Sequence, residues 1–568
     1  MKKIFLILVL LSALLASRHL FKPGFFSMHD DLHVGRLYEM DLCIQDRQFP
    51  CRWVPDMGYG YGYPLYNFYP PLPYYLGEAF HLLGFGIITS IKIVFAIAVF
   101  FGAYFMFLLA SHFWGLWGGL IGAVFYTWVP YHALDIFVRG AMSEFTAIAF
   151  FPAIFWVVAE IINKKKKYWP QLAFFYAALL LSHNIMAMLF TPLLGAWVIF
   201  LLLLKKKKFS LKVTRLELSL LLKIILSGLW GVGLAAFFTL PAFLEKKLVH
   251  VETMFMGYFN YLAHYTSLKQ LFLDRFWGFG ASVWGPEDGM SFQLGHLHWI
   301  LALVILGLAV YQHYKDRKKS SLPLVVFCFS LSLAIIFLTH PRAVFIWKAF
   351  PFLEYLQFPW RFLAIATFLL SFLAGGIMSF VSFNKRALFA GTLIGAVILL
   401  NFNYFQPEKP IYISDQEKLF SEKGWNRLQT DAIFDYLPKS AFFPPTAPAP
   451  KDVLLREGSV ENRLEVKNFE QGTDWLKFKI SIQKEGEIML PVYYFPGWRG
   501  WLDKKEVELT YEKDLGRIIM EVPAGEHQGE LRLTNTPVRA WANFISLIAW
   551  WSLLVVAFKP IVWPRIKK

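Results

Sequence analysis

Charge is scarce in this chain, and acid scarcer than base: 17% of its 568 residues are charged, with 40 Asp and Glu against 56 Lys and Arg. No long soluble basic stretch is present, which argues against a nucleic-acid partner. Low charge beside 57% hydrophobic and 18% aromatic residues rules out a disordered chain. Cysteines number three, two of them in one loop. What is abundant is apolar surface, more than a soluble chain of this length can hide, so a bilayer must be the main solvent.

Uncharged runs long enough to cross ~30 Å of hydrocarbon as about 20 residues of helix recur along the chain. The clearest are 186–204, 322–340 and 541–558; others lie near 4–20, 92–111, 115–134, 144–162, 168–182, 219–243, 297–314, 361–382 and 386–403. The fold class expected is an α-helical polytopic membrane protein of about twelve spans, with a small β-sandwich near its C-terminus. The first run reads as an uncleaved span rather than a signal peptide, because an aromatic membrane-like segment follows directly.

Lys and Arg gather at every second junction: Lys2-Lys3, Lys164 to Lys167, Lys205 to Lys208, Lys315 to Lys319, Lys385-Arg386 and the tail from Lys559. Positive loops stay cytoplasmic, which puts both termini inside a plasma (inner) membrane. These clusters exceed the whole net charge of +16, so the excess is a topology signal and the outer face is mildly acidic. Outer regions 21–91, 244–296 and 404–540 are too long for connectors, and a shorter one spans 341–360; such loops carry function. The domains expected are a multi-span unit at 1–403, an extracytoplasmic β-rich unit at 404–540, and a final span with a basic tail at 541–568.

The first outer loop holds GYGYGYPLYNFYPPLPYY from Gly58 to Tyr75, expected along the membrane surface because Tyr favours the headgroup layer and Pro and Gly break helices. At its start stand His29, Asp30, Asp31, His33 and Arg36. On a helix His29, His33 and Arg36 share a face; the two aspartates could equally serve a helix N-terminus. A zinc-protease reading of His29 and His33 is weak, since Asp replaces the expected Glu and a third ligand is lacking. Cys43 and Cys51 could form a disulfide or remain free thiols.

Further on, Arg139 suits a phosphate and Glu144 a metal ion or sugar hydroxyl, although Ser143 and Glu144 also suit a helix cap and Arg139 headgroup snorkelling. His183-Asn184 sits in a short outer turn and needs no special role. His264, Asp274, Arg275, Trp277, Trp284, Glu287 and Asp288 suit a carbohydrate or an ordinary interfacial loop. Arg361 opens a membrane helix at the outer face, a second phosphate candidate, with Trp360 beside it. Between 404 and 540 strand alternation appears, clearest at Leu476, Phe478, Ile480 and Ile482 against Lys477 and Lys479. Phe443 to Pro450 reads as a linker. That region lacks a nucleophile triad, a Gly-rich phosphate loop and a cysteine metal pair, so it is expected to bind or to space.

His29-Asp30 with His33, Gln48-Phe49-Pro50, Arg52-Trp53, the Tyr-rich segment, Arg139-Gly140 with Glu144, and Gln357 to Arg361 resemble the 6-pyruvoyl-tetrahydropterin synthase-related multi-pass membrane family over roughly 20–400, a label that does not imply pterin chemistry. That family is similar to the C-type (GT-C) glycosyltransferases, which use polyprenyl-phosphate sugars and place an essential acid in the first outer loop. The resemblance implies transfer of a sugar from a polyprenyl-phosphate donor to a hydroxyl of a glycan, lipid or protein acceptor in the cell envelope. Asp30 would be the general base, with His33 orienting it. Arg139, Glu144, Arg361, Trp360, Tyr63 and Asn67 would bind substrate. The residues fix no cofactor; a divalent cation, Mg or Mn, held by Asp31 and Glu144 is the candidate, though paired acids separated by one residue are missing. The rival readings are a transporter or flippase of lipid-linked saccharides and a non-catalytic scaffold for envelope polysaccharide assembly.

Overall fold

Apolar runs become helices because a bilayer leaves backbone amides no partner but their own chain. The computed structural model describes residues 2–562 apart from 164–167, 206–213, 286, 318–319, 432 and 457–461. The lysine clusters at 164–167, 206–208 and 318–319, and the tail from 563, lie outside the described residues. Helix occupies every apolar run named above. Eight helices among the described residues are long and apolar enough to cross a membrane, or nine if Leu322–Leu338 and Pro341–Ala349, bent by 89°, are one span. The expected number of about twelve is therefore not met by length and hydropathy. Two expected spans merge into Ile87–Thr127, broken at Gly115, and Lys2–Ala16 and Trp169–Ser182 are short, at 15 and 14 residues. The helix Ile87–Thr127 lies against Met142–Ile162 and Pro359–Ser379 at the centre of the bundle. Gly118 and Gly375 let two backbones meet there: a Cβ on Gly375 would sit 2.5 Å from the Gly118 carbonyl oxygen.

The sandwich is present but smaller than its expected boundary. Leaving aside the short pair Phe25–Phe26 with Pro410–Ile411, strands run only from Leu454 to Leu533. Strand Trp475–Ile482 pairs with Leu464–Gln471 on one side and Gly525–Leu533 on the other, within a five-stranded sheet; a four-stranded sheet centres on Gly486–Tyr493 and Arg517–Val522. Leu476, Phe478, Ile480 and Ile482 point into the shared core and Lys477 and Lys479 outward, as a period of two requires. Residues 404–453 instead form the short helices Asp415–Phe420 and Glu422–Thr430 with extended chain.

The Tyr-rich segment is not a surface lining. Tyr61, Tyr63, Tyr66 and Tyr74 are buried, and Trp53, Tyr61 and Phe68 contact Phe495, Trp498 and Tyr493 of the β region. Gly62 has φ 81°, and a Cβ on it would lie 2.2 Å from Trp53 Nε1, so only glycine fits. Cys43 and Cys51 are joined as a disulfide. The last span is tied to this loop through Glu245. Arg539 Nε and Asn67 Nδ2 both donate to Glu245 Oε2 at 2.9 Å, and Arg52 donates to Asn67 and Asn543. Replacing Glu245 with Ala would leave the buried Arg539 cation without its anion, at a cost of about 3–5 kcal/mol. A marked fall in the unfolding midpoint of detergent-purified protein is expected; an unchanged midpoint contradicts it.

Candidate functional site

Four helix ends meet at one side of the bundle. Met142–Ile162, Asn184–Leu204 and Pro359–Ser379 begin there, and Trp169–Ser182 ends there. Between them opens a cavity of about 1080 Å³ lined by Asp30, Asp31, Arg139, Glu144, Trp360 and Arg361. Separate stretches thus bring six of the expected site residues to one space. His33 lies behind it. Tyr63 and Asn67 do not line it: the Tyr63 hydroxyl accepts from the Tyr436 N–H at 2.6 Å, and Asn67 belongs to the Glu245 network.

The helix expected to carry His29, His33 and Arg36 on one face starts only at His33, so His29 and both aspartates precede it. Their backbone runs beside Val138 and Arg139 instead, with the His29 and Asp30 N–H groups donating to those carbonyls at 3.0 and 2.9 Å. His29 donates to the Phe279 carbonyl at 2.9 Å. His33 Nε2 donates to the Gly140 carbonyl at 2.5 Å, so Nδ1 is the acceptor for the Tyr74 hydroxyl at 2.7 Å. Burial holds the His33 ring below its ordinary range, hence neutral.

Arg36 Nη1 donates to both oxygens of Asp30, at 3.1 and 3.0 Å, and its guanidinium lies 4.4 Å above the Tyr69 ring. Burial pushes the Asp30 carboxyl up, but the Arg36 guanidinium outweighs it and holds the group below the usual aspartate range. Asp31 turns the other way, onto Arg427 at 2.8 and 2.6 Å and onto Lys418.

Glu144 is the centre of the second cluster. Its Oε2 accepts from Arg139 at 2.8 Å and from Arg361 at 3.2 Å, and its Oε1 from the Tyr131 hydroxyl at 2.6 Å. Arg139 also pairs with Asp135 and lies 4.4 Å above the Trp360 ring, while Arg361 donates to the Leu356 carbonyl at 2.7 Å. Asp31 and Glu144 are therefore both spent on cations. No group of three His, Cys, Asp or Glu among the described residues could hold a metal ion, and the expected Mg or Mn finds no fitting ligand set.

Several lining residues escape a sequence reading. His183 and Asn184, expected to be a plain turn, face the cavity. The His183 Nδ1 accepts from the Met186 N–H, and burial with Arg361 nearby pushes the ring down to about 3. Lys246 lines the cavity bonded to the Tyr355 hydroxyl at 3.0 Å, and among the described residues it has no carboxylate partner. Arg427, Asp431, Asp435 and Tyr436 arrive from the segment between the last bundle helices and the sandwich, which was expected only to bind or space. Conversely, the proposed carbohydrate residues of 244–296 stay outside: His264 bonds Ser282, Asp288 bonds Gln270, and Trp277 stacks on Tyr404. Phe243, 68% exposed, lines the cavity beside Thr191 and Met188, so one wall is apolar and open.

The chain belongs to the 6-pyruvoyl-tetrahydropterin synthase related family of membrane proteins, whose pattern matches residues 66–406, more than half of the sequence. Asp30, His33 and the 427–436 segment lie outside the matched part. An uncharacterized protein of Lactococcus lactis subsp. cremoris is 23% identical over 357 residues, covering 61% of this chain and 54% of that one, so the match spans about half the relative's length. Among solved structures, the Archaeoglobus fulgidus oligosaccharyltransferase in its apo form has TM-score 0.45 at 12% identity, covering 78% of this chain and 60% of its own. The same organism's oligosaccharyltransferase AglB, in complex with an inhibitory peptide and a dolichol-phosphate, has TM-score 0.34 at 14% identity over 72% of this chain and 57% of its own. Likeness at this distance assigns neither activity nor ligand to this chain.

Because Arg361 donates to Glu144 Oε2, the effects of removing the two groups should not add. A double-mutant cycle of Glu144→Gln with Arg361→Leu, read by unfolding midpoints, should return a coupling of roughly 0.5–3 kcal/mol; additive effects would contradict the shared anion.

Proposed function

We propose that the protein is a glycosyltransferase moving a sugar from a polyprenyl-phosphate donor to an acceptor hydroxyl at the extracytoplasmic end of the bundle. The observation that carries this is one cavity with three unlike walls: carboxylates around Asp30, a buried arginine pair at Glu144, and an apolar flank at Phe243 and Met188. A lipid-linked phosphate sugar needs all three. The side assignment rests on the lysines: Asn184–Leu204 begins at the cavity and ends at Lys205, and Met142–Ile162 runs from the cavity toward 164–167, so positive loops inside put the cavity outside.

The donor phosphate would meet Arg139, Arg361 and Lys246. Burial and the neighbouring Glu144 carboxylate push the Asp135 carboxyl well above its usual range, and its Oδ2 has no hydrogen-bond partner among the described residues. Charge-assisted donors aimed at the departing phosphate stabilise the charge that grows there in the transition state. Asp30, fixed as an anion by Arg36, faces the sugar and receives the acceptor hydroxyl's hydrogen bond. Trp360, buried between Arg139 and the stacked rings of Phe358 and Phe292, would act by holding Arg139 in place rather than by meeting the sugar.

Two measurements test this reading. Mass spectrometry of lipid-linked sugars and envelope glycans should show donor accumulating and a glycan missing when the gene is deleted; unchanged profiles overturn it. Asp30→Asn in membranes should lower transfer by about 10–10²-fold, the loss of one charge-assisted hydrogen bond, with normal protein levels, and full activity would remove Asp30 from the site.

A further inference from the structure

Five carboxylates line the cavity: Asp30, Asp31, Glu144, Asp431 and Asp435. Four are held by cations, Asp30 by Arg36, Asp31 by Arg427 and Lys418, Glu144 by Arg139 and Arg361, and Asp431 by Arg427. Asp435 makes no hydrogen bond or ion pair among the described residues. Its position is nonetheless fixed, because the next residue is clamped: the Tyr436 N–H donates to Tyr63 and the Tyr436 ring stacks on Phe68 at 5.6 Å. Asp435 is half-buried and lines the cavity, so its carboxylate, without a donor of its own among the described residues, is open to a ligand hydroxyl or a proton.

We infer that Asp435 is the general base of the transfer reaction, while Asp30 positions the acceptor hydroxyl. The inference rests on the glycosyltransferase reading above. The hydroxyl O–H bond breaks and its proton passes to the Asp435 carboxylate. The freed oxygen pair forms the bond to the anomeric carbon, and the bond from that carbon to the phosphate oxygen breaks with its electrons leaving on the phosphate. Asp435 then returns the proton to water. The division of labour follows from the neighbours. Asp30, held as an anion by Arg36, keeps acceptor sites free for a hydroxyl but is a weak base. The groups facing Asp435 are Arg36 from the helix His33–Gln45, Asp30 from the loop before it, and the Tyr63 and Tyr436 hydroxyls. Burial pushes the Asp435 carboxyl up to about 6, with Arg36 opposing and Asp30 adding to the rise. A base is most effective when it titrates near the working pH.

The test uses the full chain in vesicles of native envelope lipid extract, which carries donor and acceptor together, with polyprenyl phosphate release read by mass spectrometry between pH 4.5 and 8.5. The wild type should lose rate below an acid limb near pH 6. Asp435→Asn should reduce kcat by about 10²–10⁴-fold with KM little changed and the limb gone, and Asp435→Glu should restore both in part. An active wild type whose limb survives in Asp435→Asn overturns the role of Asp435 alone; a wild type that releases no phosphate overturns the transfer reading itself. Unfolding midpoints separate a structural role. A raised carboxyl makes the folded state lose stability as pH rises through about 6, so Asp435→Asn should gain on the wild type between pH 4 and pH 8. A difference independent of pH contradicts the unpaired placement.

Discussion

One carboxylate oxygen, Glu144 Oε2, holds two guanidinium groups that reach it from opposite directions in the sequence. Arg139 ends the turn before the helix Met142–Ile162, Glu144 lies in that helix's first turn, and Arg361 opens the span Pro359–Ser379. Removing any of the three leaves a buried charge unmatched, and a buried charge is tolerated only when paired and hydrogen-bonded. The cluster therefore fixes where the fold's two central spans start relative to each other. It also sets the position of Trp360 under Arg139 and of the Asp30 backbone, which hangs from the Arg139 carbonyl.

The same constraint shapes the chemistry proposed for the cavity. Arginines tied to an internal anion cannot collapse onto each other or wander to solvent, so their remaining N–H groups stay arranged before a substrate arrives. Such preorganisation is what makes electrostatic stabilisation effective in a site shielded from water. Beside this cluster Arg36 does for Asp30 what Glu144 does for the arginines, holding its charge in place. Lys246 and Asp435, one cation and one anion without an ionic partner among the described residues, are the groups left free for a ligand.

Legibility in the sequence followed periodicity. Apolar runs marked the helices because hydrocarbon thickness imposes a minimum length, and alternation marked Trp475–Ile482 because one face is core. Arg361 was legible because a cation opening an outer helix end runs against the charge trend. The segment 404–453 was not, since short capped helices and extended chain have no period, and the roles of Arg427 and Asp435 come from folding back against the first loop. The Tyr-rich segment misled for a related reason: tyrosine suits the headgroup layer and an aromatic interface equally, and its partners Phe495 and Trp498 lie more than 400 residues away. Glu144 was visible as a polar residue opening a helix, but not as the anion between two arginines.

Glycosyl transfer by this site requires the cavity to hold a lipid-linked phosphate sugar. Native mass spectrometry of protein purified in mild detergent measures this directly, comparing the wild type with Ala141→Trp, which places a large ring on the cavity wall. A bound polyprenyl-phosphate sugar is expected on the wild type, and its loss from the blocked variant. A wild type free of any such lipid, or equal retention by both proteins, would contradict it.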